Sequence, residues 1–555
     1  MDPEKRESKE VTVDDILQLL GPFGRFNVYN YAMILLPVFL IGMYSSVYNF
    51  EVMDLDYRCA VPECGDQFFN FTIPHDDSGI PYKCLRYPIF DNYTTEVNGS
   101  ICAPFHFDTS TEVECDSYVY LEEHSIVKEF NLACQDWKRS LVGTVHNAGS
   151  FLSIPLTGLI SDKYGRRLAV VFASVSNGVF GLIRALSANY NMFVVFEFLE
   201  PAFGGGVYTA CFVLAIELVG PKGRVFVSLL FNTMFILGGV TVTLLSWWLQ
   251  NWRYLLFIIY TPAVFTFVYI WALTESFRWY FSKGRYEEGL NVLNKSETIN
   301  NVSIPKDHYH QVEKEATKQR DARKYESRES NQSSFKQILT SQMIWKRLFI
   351  CSTLWTASTL VYYGLSINAI ELSGNSYLNY IVVIIIEAPA NVCKLILLDR
   401  YGRKKVIAIA FLLTALILIN YGFVPAGNWS LVMYLGGKFF ITLAYNSLYV
   451  FAAEVFPTNY RTTLLAICST IGRIGSTVAP LTPLLARFYE YLPTMLFGGM
   501  AAVAALLVLT LPETNNMKLP DSLKEAQDQD RKKGSQERIE PVPSNDKNGG
   551  IKTSL

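Results

Sequence analysis

The sequence lacks the motifs of a nucleotide-driven or metal-dependent enzyme. A phosphate-binding loop needs Gly-xxxx-Gly-Lys-Ser/Thr, whereas Gly437-Lys438-Phe439 has neither the upstream glycine nor the hydroxyl residue. Histidine is scarce, with 6 residues in a chain of 555, and no His/Cys ligand spacing occurs. We therefore expect no enzyme, no metal site and no cofactor.

Charge is also sparse, because 18% of the residues are charged whereas 50% are hydrophobic. A nucleic-acid partner requires a basic surface, and the net charge of −2 argues against one. The charged residues lie in blocks between apolar runs of about 20 residues, the length that crosses the hydrocarbon core of a lipid bilayer. The composition therefore predicts a membrane protein.

Twelve apolar runs predict an all-α fold with twelve transmembrane helices, six in each half of the chain. The first run follows Phe26 and has no small-residue cleavage site, so it predicts a helix and not a signal peptide. The other runs have these approximate limits: 141–160, 168–187, 192–219, 225–250, 253–273, 347–369, 377–398, 406–424, 430–452, 463–487 and 492–511. The expected units are an amino-terminal segment 1–25, a first half 26–273, a linker 274–346, a second half 347–511 and a disordered tail 512–555.

The polar segment 49–140 separates the first two predicted helices. It holds six cysteines and three glycosylation sequons, which together indicate an oxidising, extracellular compartment. Up to three disulfides are expected, and the sequence leaves their pairing open. The cysteines are Cys59, Cys64, Cys84, Cys102, Cys115 and Cys134, and the sequons begin at Asn70, Asn92 and Asn98.

Basic residues in the short turns lie on the side opposite the cysteine-rich segment, which places both termini in the cytosol of a plasma-membrane protein. These residues are Lys163, Arg166, Arg167, Lys222, Arg224, Arg400, Arg403, Lys404, Lys405 and Arg461. The chain ends in Thr553-Ser554-Leu555, a form that PDZ domains capture. We therefore expect a PDZ-domain partner at the carboxyl terminus.

Five charged residues of the first half of the chain, which we call the charged landmarks, recur in the second half. The distance along the chain between the two members of each pair is the same to within one residue. The pairs are Asp162 with Asp399, Arg166 with Arg403, Glu217 with Glu454, Arg224 with Arg461, and Glu275 with Glu513. Such a repeat is typical of a duplicated protein. Parallel duplication of six-helix halves places a substrate site between them near the middle of the membrane. We interpret the first four pairs as a conformational gate at the cytosolic helix ends.

Ionisable residues inside the apolar runs are candidate site residues, because each costs several kcal/mol in lipid unless it is paired or hydrated. Arg473 and Glu387 lie about 18 Å from the cytosolic helix ends at 1.5 Å per residue, and Lys438 lies deeper. Two cations and one carboxylate could hold a substrate carboxylate and tolerate an amine. The alternative is that Glu387 and Arg473 pair with each other.

Aromatic residues near these charges predict a tolerant pocket with cation–π capacity. Any one of them could instead belong to helix packing. They are Tyr208, Phe212, Phe235, Tyr362, Tyr363, Tyr445 and Tyr449.

The turn Gly158-xxx-Asp162-Lys163-x-Gly165-Arg166-Arg167 resembles the signature of the major facilitator superfamily. The cysteine-rich segment, Glu129-Phe-Asn-Leu-Ala-Cys134, Glu275-Ser-Phe-Arg278-Trp279 and Glu454-Val-Phe-Pro-Thr458 are similar to solute carrier family 22, the organic cation, anion and zwitterion transporters. The resemblance covers residues 15–515 and implies alternating-access transport of small organic ions.

This resemblance implies a substrate class. Arg473 stands where cation carriers have Asp and where anion and carnitine-type carriers have Arg, and Lys438 also matches the anion and zwitterion branches. Glu387 is the residue type of cation carriers, and Asn391 replaces a lysine of some anion carriers. The mixed pattern favours carboxylate-bearing anions or zwitterions. An organic cation carrier, a sugar-type facilitator and a non-transporting receptor or scaffold are the alternatives.

One stretch departs from the family pattern. Where relatives carry Arg-xx-Gln-Gly on helix 4, this chain has Glu197-Phe-Leu-Glu200-Pro201, and Arg184 on helix 3 lies at a similar depth. The interpretation is a charge-swapped pair between the two helices.

Overall fold

The computed structural model describes residues 13–21, 24–64, 70–76, 79, 81–90, 102–122, 124–219, 223–305, 309, 317, 341–425, 427–457 and 461–514. Two of the predicted sequons, at Asn92 and Asn98, and the predicted PDZ ligand Thr553–Leu555 lie outside these residues. Asn70 lies within them and is exposed in a short 3-10 helix, Asn70–Thr72.

Long helices account for most of the described chain. They are α1 Arg25–Glu51, α2 Asp136–Tyr164, α3 Arg166–Ala185, α4 Tyr190–Glu217, α5 Arg224–Leu249, α6 Trp252–Ala272, α7 Gln342–Ile367, α8 Ser376–Tyr401, α9 Arg403–Tyr421, α10 Asn428–Val455, α11 Arg461–Val478 and α12 Leu492–Leu509. Ten spans in the described part of the chain are long and apolar enough to cross a membrane. The other two helices, α2 and α10, complete the twelve.

The two halves repeat the same helix packing. Helix α1 packs on α5 as α7 packs on α11, α2 on α4 as α8 on α10, and α3 on α6 as α9 on α12. The halves meet where α2 contacts α11 and where α8 contacts α5. These two contacts are equivalent, because α2 corresponds to α8 and α5 corresponds to α11 in the repeat. The duplication predicted from the charged landmarks is therefore present in the packing.

The shorter elements cover the two ends of the bundle. Between α1 and α2, strands β1 Tyr57–Cys59 and β4 Tyr118–Tyr120 pair antiparallel, as do β2 Leu85–Arg86 and β3 Val113–Glu114. Further helices are Val13–Leu20, Ile126–Glu129, Phe277–Lys283 and Tyr286–Asn300, and 3-10 segments include Asn368–Glu371 and Ala479–Arg487.

Three disulfides hold the segment between α1 and α2 together, so the disulfides expected from the sequence are present. The bonded pairs are Cys59–Cys115, Cys64–Cys102 and Cys84–Cys134. Cys134 comes just before α2, and the turn at Gly165 comes just after it, so these two features lie at opposite ends of one helix. We call the two ends of the bundle the loop side and the turn side.

Each turn-side repeat is built from one glycine and one carboxylate. Gly165 and Gly402 have φ of 112° and 91°, in the region that favours glycine. Glu275 accepts the backbone N–H groups of Arg166 (3.0 Å) and Arg167 (3.1 Å) at the start of α3. Glu513 likewise accepts the N–H groups at the start of α9. Burial raises the pKa of the Glu275 carboxyl, and the accepted N–H groups oppose that rise.

Replacing Gly165 tests whether the turn requires a residue without a side chain. A Cβ at Gly165 would lie 2.3 Å from Glu275 Oε2. With the cost of the backbone conformation, Gly165→Ala should lower the free energy of unfolding by about 1–3 kcal/mol. Thermal unfolding of the purified protein in detergent measures this. Gly158→Ala, in α2, is the control, because a Cβ there meets no atom within 4 Å. Equal melting temperatures for the two variants would contradict the account.

Candidate functional site

A buried ion pair lies in the middle of the second half. Glu387 begins the second segment of α8, and Lys438 lies on α10 and is fully buried. Lys438 Nζ lies 2.9 Å from Glu387 Oε1 and donates to Ser366 Oγ (2.7 Å) and to the carbonyl oxygen of Tyr362 (3.2 Å). The Tyr362 hydroxyl donates to Glu387 Oε2 at 2.8 Å. Three partners match the three ammonium protons, so Lys438 and Glu387 neutralise each other.

The same lysine lies over an aromatic ring. Its Nζ is 3.5 Å from the ring centroid of Tyr362, and the Tyr445 ring is 5.3 Å from that of Tyr362. The ion pair is thus joined to the aromatic residues predicted from the sequence. A substrate that reached Lys438 would have to replace the Glu387 carboxylate.

Arg473 is the remaining predicted cation, and it is placed differently. It lies on α11, is half-buried, and interacts electrostatically with the phenol groups of Tyr363, Tyr445 and Tyr449. Within the described ranges, its guanidinium forms no ion pair. The alternative pairing of Glu387 with Arg473 is not what the structure shows, because Lys438 holds Glu387.

Two glycines set the position of Arg473. A Cβ at Gly475 would lie 2.3 Å from the carbonyl oxygen of Thr356, and one at Gly472 would lie 2.8 Å from Trp355 Cβ. Helix α11 therefore lies close against α7 on either side of Arg473. Any larger residue at these positions would push the two helices apart and displace the guanidinium.

The predicted aromatic residues lie in both halves, and those near Arg473 belong to the second half. On α10, the hydroxyls of Tyr445 and Tyr449 are 3.4 Å apart. In the first half, Tyr208 stacks on Phe212 with ring centroids 6.3 Å apart and meets Phe235 edge-on at 6.0 Å. The predicted aromatic residues therefore form two groups, one from each half.

Sequence reasoning missed two aromatic members of these groups. Trp355 lies 4.2 Å from Tyr449 between ring centroids, and Phe231 lies 5.7 Å from Tyr208. Both are 1% exposed. Each stands in a predicted membrane-spanning run among other apolar residues, so its sequence context does not distinguish it from a packing residue.

The charged landmarks form one network in each half on the turn side. Arg166 pairs with Asp162 (2.7 Å) and Glu217 (3.1 Å). The second-half network is equivalent, with Arg403 paired to Asp399 at 3.4 Å and to Glu454 at 3.3 Å.

Two further landmarks lie at helix starts. Arg224 begins α5 and Arg461 begins α11, where Arg461 makes no ion pair with another described residue. The sequence identified Glu275 and Glu513 only as a repeated pair. In the structure they belong to the networks, because they accept the backbone N–H groups of Arg166 and Arg403.

On the loop side, the halves are in contact. Asp136 of α2 pairs with Arg487, just beyond α11, and Asn49 Nδ2 donates to the Tyr380 hydroxyl at 3.1 Å. A cavity of about 420 Å³ lies between the halves there, lined by charged residues that include Asp54, Arg139 and Glu371. The two halves are therefore joined by polar contacts on the loop side. The sequence did not predict these contacts.

Residues 91–522 match a family model described as "Sugar (and other) transporter". Among curated proteins, the chain is 29% identical to an organic cation transporter protein of Drosophila melanogaster, over 95% of this chain and 96% of that one. It is 27% identical to solute carrier family 22 member 6 of Mus musculus, covering 95% and 96%. It is 28% identical to the human organic cation/carnitine transporter 2, covering 93% of each chain.

Among solved structures, the chain resembles the xylose transporter XylE of E. coli. The partially occluded inward open conformation matches with a TM-score of 0.59 at 17% identity, over 89% of this chain and 100% of that one. The inward open conformation matches with a TM-score of 0.57 at 16% identity, covering 90% and 98%. At this identity the likeness shows the fold alone.

The ion pair makes a stability prediction. Lys438→Met should lower the free energy of unfolding by about 3–5 kcal/mol, because the Glu387 carboxylate is left buried without its cation. Adding Glu387→Gln should recover much of this loss. Arg285→Met is the control, since the Arg285–Glu288 pair is half-exposed and solvent screens it, so its loss should change stability far less. A double variant no more stable than Lys438→Met would contradict the pairing.

Proposed function

The chain belongs to the sugar (and other) transporter family, and on that premise we propose that it moves small organic anions or zwitterions across the plasma membrane by alternating access. The transporter fold of twelve helices and the resemblance to solute carrier family 22 are confirmed by the comparisons. The substrate class and the roles of the site residues are our proposal.

The lack of an ion pair at Arg473 carries the proposal. Lys438 and Glu387 cancel each other, so the site keeps one positive charge at the interface. A guanidinium without a counter-charge in the membrane interior is costly, and a carboxylate-bearing substrate removes that cost through a bidentate contact. A neutral substrate gives no reason for this charge.

The aromatic groups supply the rest of the recognition. Tyr208 of α4 and Tyr449 of α10 belong to different halves, so a substrate bound between the halves would contact both. Flat aromatic walls accept many ring-bearing substrates because stacking makes few directional demands. A ligand that contacts both halves can favour one arrangement of the halves over the other, as alternating access requires.

We assign the turn-side networks to the gate. Asp162, Arg166, Glu217 and Arg224 form one part, and Asp399, Arg403, Glu454 and Arg461 form the other. With the disulfide-bonded segment outside the cell, the turn side faces the cytosol, where both termini lie. The tail is then placed to bind a PDZ domain.

A cation carrier is the second candidate. Relatives named organic cation transporters and the aromatic rings favour it. It would require the Glu387 carboxylate to leave Lys438 and face the substrate.

Uptake of charged probes tests the substrate class. Arg473→Ala should raise KM for benzenesulfonate by about 10- to 100-fold, the loss expected for a charge-assisted contact. Arg473→Lys should retain part of the affinity. Cells expressing each variant at matched surface levels would be compared for uptake of an aryl sulfonate, an amino acid and an aryl trimethylammonium ion.

Arg285→Ala is the matched control, because Arg285 lies far from the site in the segment after α6. The proposal would be overturned in favour of the cation carrier if the parent took up only the trimethylammonium ion and Arg473→Ala left that uptake unchanged. No uptake of any probe by the parent at normal surface expression would reject transport.

The gate assignment makes a kinetic prediction. Glu454→Gln should lower kcat by about 10-fold, because it removes one charge partner of Arg403. The KM should change by less than about 2-fold, since the network lies one membrane leaflet away from Arg473. Glu288→Gln is the control. A large change of KM with kcat unchanged would place Glu454 in substrate binding instead.

A further inference from the structure

A second group of ionisable residues is buried in the first half, on helices other than those that carry Arg473. Glu51 ends α1, His146 lies on α2, Arg184 on α3, and Glu197 and Glu200 on α4. Glu200 is 1% exposed, His146 is 8% exposed, and the other three are fully buried. The substrate site described above uses none of them.

Arg184 is the central cation of this cluster. It donates to Glu51 Oε1 at 2.9 Å, to the Tyr260 hydroxyl at 3.1 Å and to Glu197 Oε2. The charge-swapped pair expected between Arg184 and Glu197 is therefore present. His146 Nδ1 lies 2.8 Å from Glu197 Oε1, on the far side of that carboxylate.

Glu200 is the member without a hydrogen-bonded oxygen partner. Its Oε2 atom is buried and has no hydrogen bond among the described residues. Glu51 Oε2 is also without one, but Glu51 Oε1 accepts from Arg184. Glu200 Oε2 lies 3.8 Å from His146 Nδ1 and 3.9 Å from an Arg184 nitrogen. A carboxylate in this position would be charged and unsatisfied, and such groups normally bind a proton instead.

The charge balance points the same way. Three carboxylates face one guanidinium and one imidazole, so the cluster is neutral only when it holds two protons. The other titratable groups around it are phenols: Tyr44 and Tyr48 on α1 and Tyr260 on α6. The charged groups of the adjoining cavity are Asp54, Asp136, Arg139, Glu371 and Arg487. Both Arg139 and Arg487 pair with Asp136. No further cation among the described residues is paired with the carboxylates of the cluster.

The cluster adjoins the loop-side cavity. The rings of His146 and Tyr48 are 5.1 Å apart, and Tyr48 and Gly143 line the cavity. A Cβ at Gly143 would lie 2.8 Å from Pro480, so α2 and the segment after α11 are in direct contact here. Separation of the halves on the loop side would remove Pro480 from α2 and bring water to His146.

We propose that His146 and Glu200 share one exchangeable proton, taken up from the loop-side solution, and that transport of the organic ion is coupled to it. On release, an N–H or O–H bond of the pair breaks and the proton passes to a water molecule in the cavity. This inference rests on the proposed transport function for its coupling step. The proton site itself depends only on the cluster.

Purified protein in proteoliposomes, with the membrane potential clamped, tests the coupling. The probe is radiolabelled benzenesulfonate, whose charge is constant between about pH 5.5 and about pH 7.5. Parent uptake should differ at least about 5-fold between these outside pH values. Glu200→Gln, which mimics the protonated acid, should transport with less than about a 2-fold pH effect, and His146→Gln should also weaken the response. Glu114→Gln, in exposed strand β3, should behave like the parent.

The coupling would be overturned if uptake by Glu200→Gln kept the parent's pH dependence, or if uptake by the parent did not depend on pH. Uptake by the parent that depends on sodium in place of protons would overturn it as well. If the parent moves no probe, the transport proposal fails, and thermal unfolding still tests the proton site. Because the folded state binds the proton, the parent's melting temperature should fall as pH rises from about 6 to about 8 more steeply than that of Glu200→Gln. Equal slopes would overturn the site.

Discussion

Ionisable side chains inside a membrane must find their counter-charges within the protein, because lipid offers none. This constraint organises the whole bundle. Lys438 is held by Glu387, Arg184 by Glu51 and Glu197, and Arg166 and Arg403 by carboxylates of their own half. Each pair joins two or three helices, so charge neutralisation also fixes which helices are neighbours.

Against this background, two places are informative because neutralisation is incomplete. Arg473 has a positive charge with no ion pair among the described residues, and it lies near three tyrosines of the second half. The cluster around Arg184 has a surplus of carboxylates and no access to lipid. The unpaired charge of Arg473 is suited to an anionic substrate, and the surplus carboxylates around Arg184 are suited to binding protons. One transporter would then have two sites for different ligands in different parts of the fold.

Much of the fold could be predicted from the sequence because it depends on features with a fixed spacing. The charged landmarks keep register over half the chain, and the apolar runs have the length of a membrane span. The disulfide pairs could not be predicted, since spacing does not choose among the six cysteines. The partner of Glu387 was missed because Lys438 lies on a distant helix, and depth alone did not distinguish it from Arg473.

The cluster around Arg184 shows the same limit. Glu197 and Glu200 stood out because they interrupt an apolar run, whereas Glu51 lies at the end of one and His146 lies in a helix already rich in polar residues. Trp355 and Phe231 carried no distinguishing signal at all. Residues whose function depends on contacts between helices were therefore the ones that sequence patterns did not identify.

Ligand-induced stabilisation of the purified protein tests the central claim most directly. Two probes share one ring and differ in charge: benzenesulfonate and phenyltrimethylammonium. The account predicts that benzenesulfonate raises the melting temperature of the parent and not of Arg473→Leu, while phenyltrimethylammonium has no effect on either. Stabilisation by phenyltrimethylammonium alone, equal in parent and variant, would contradict it.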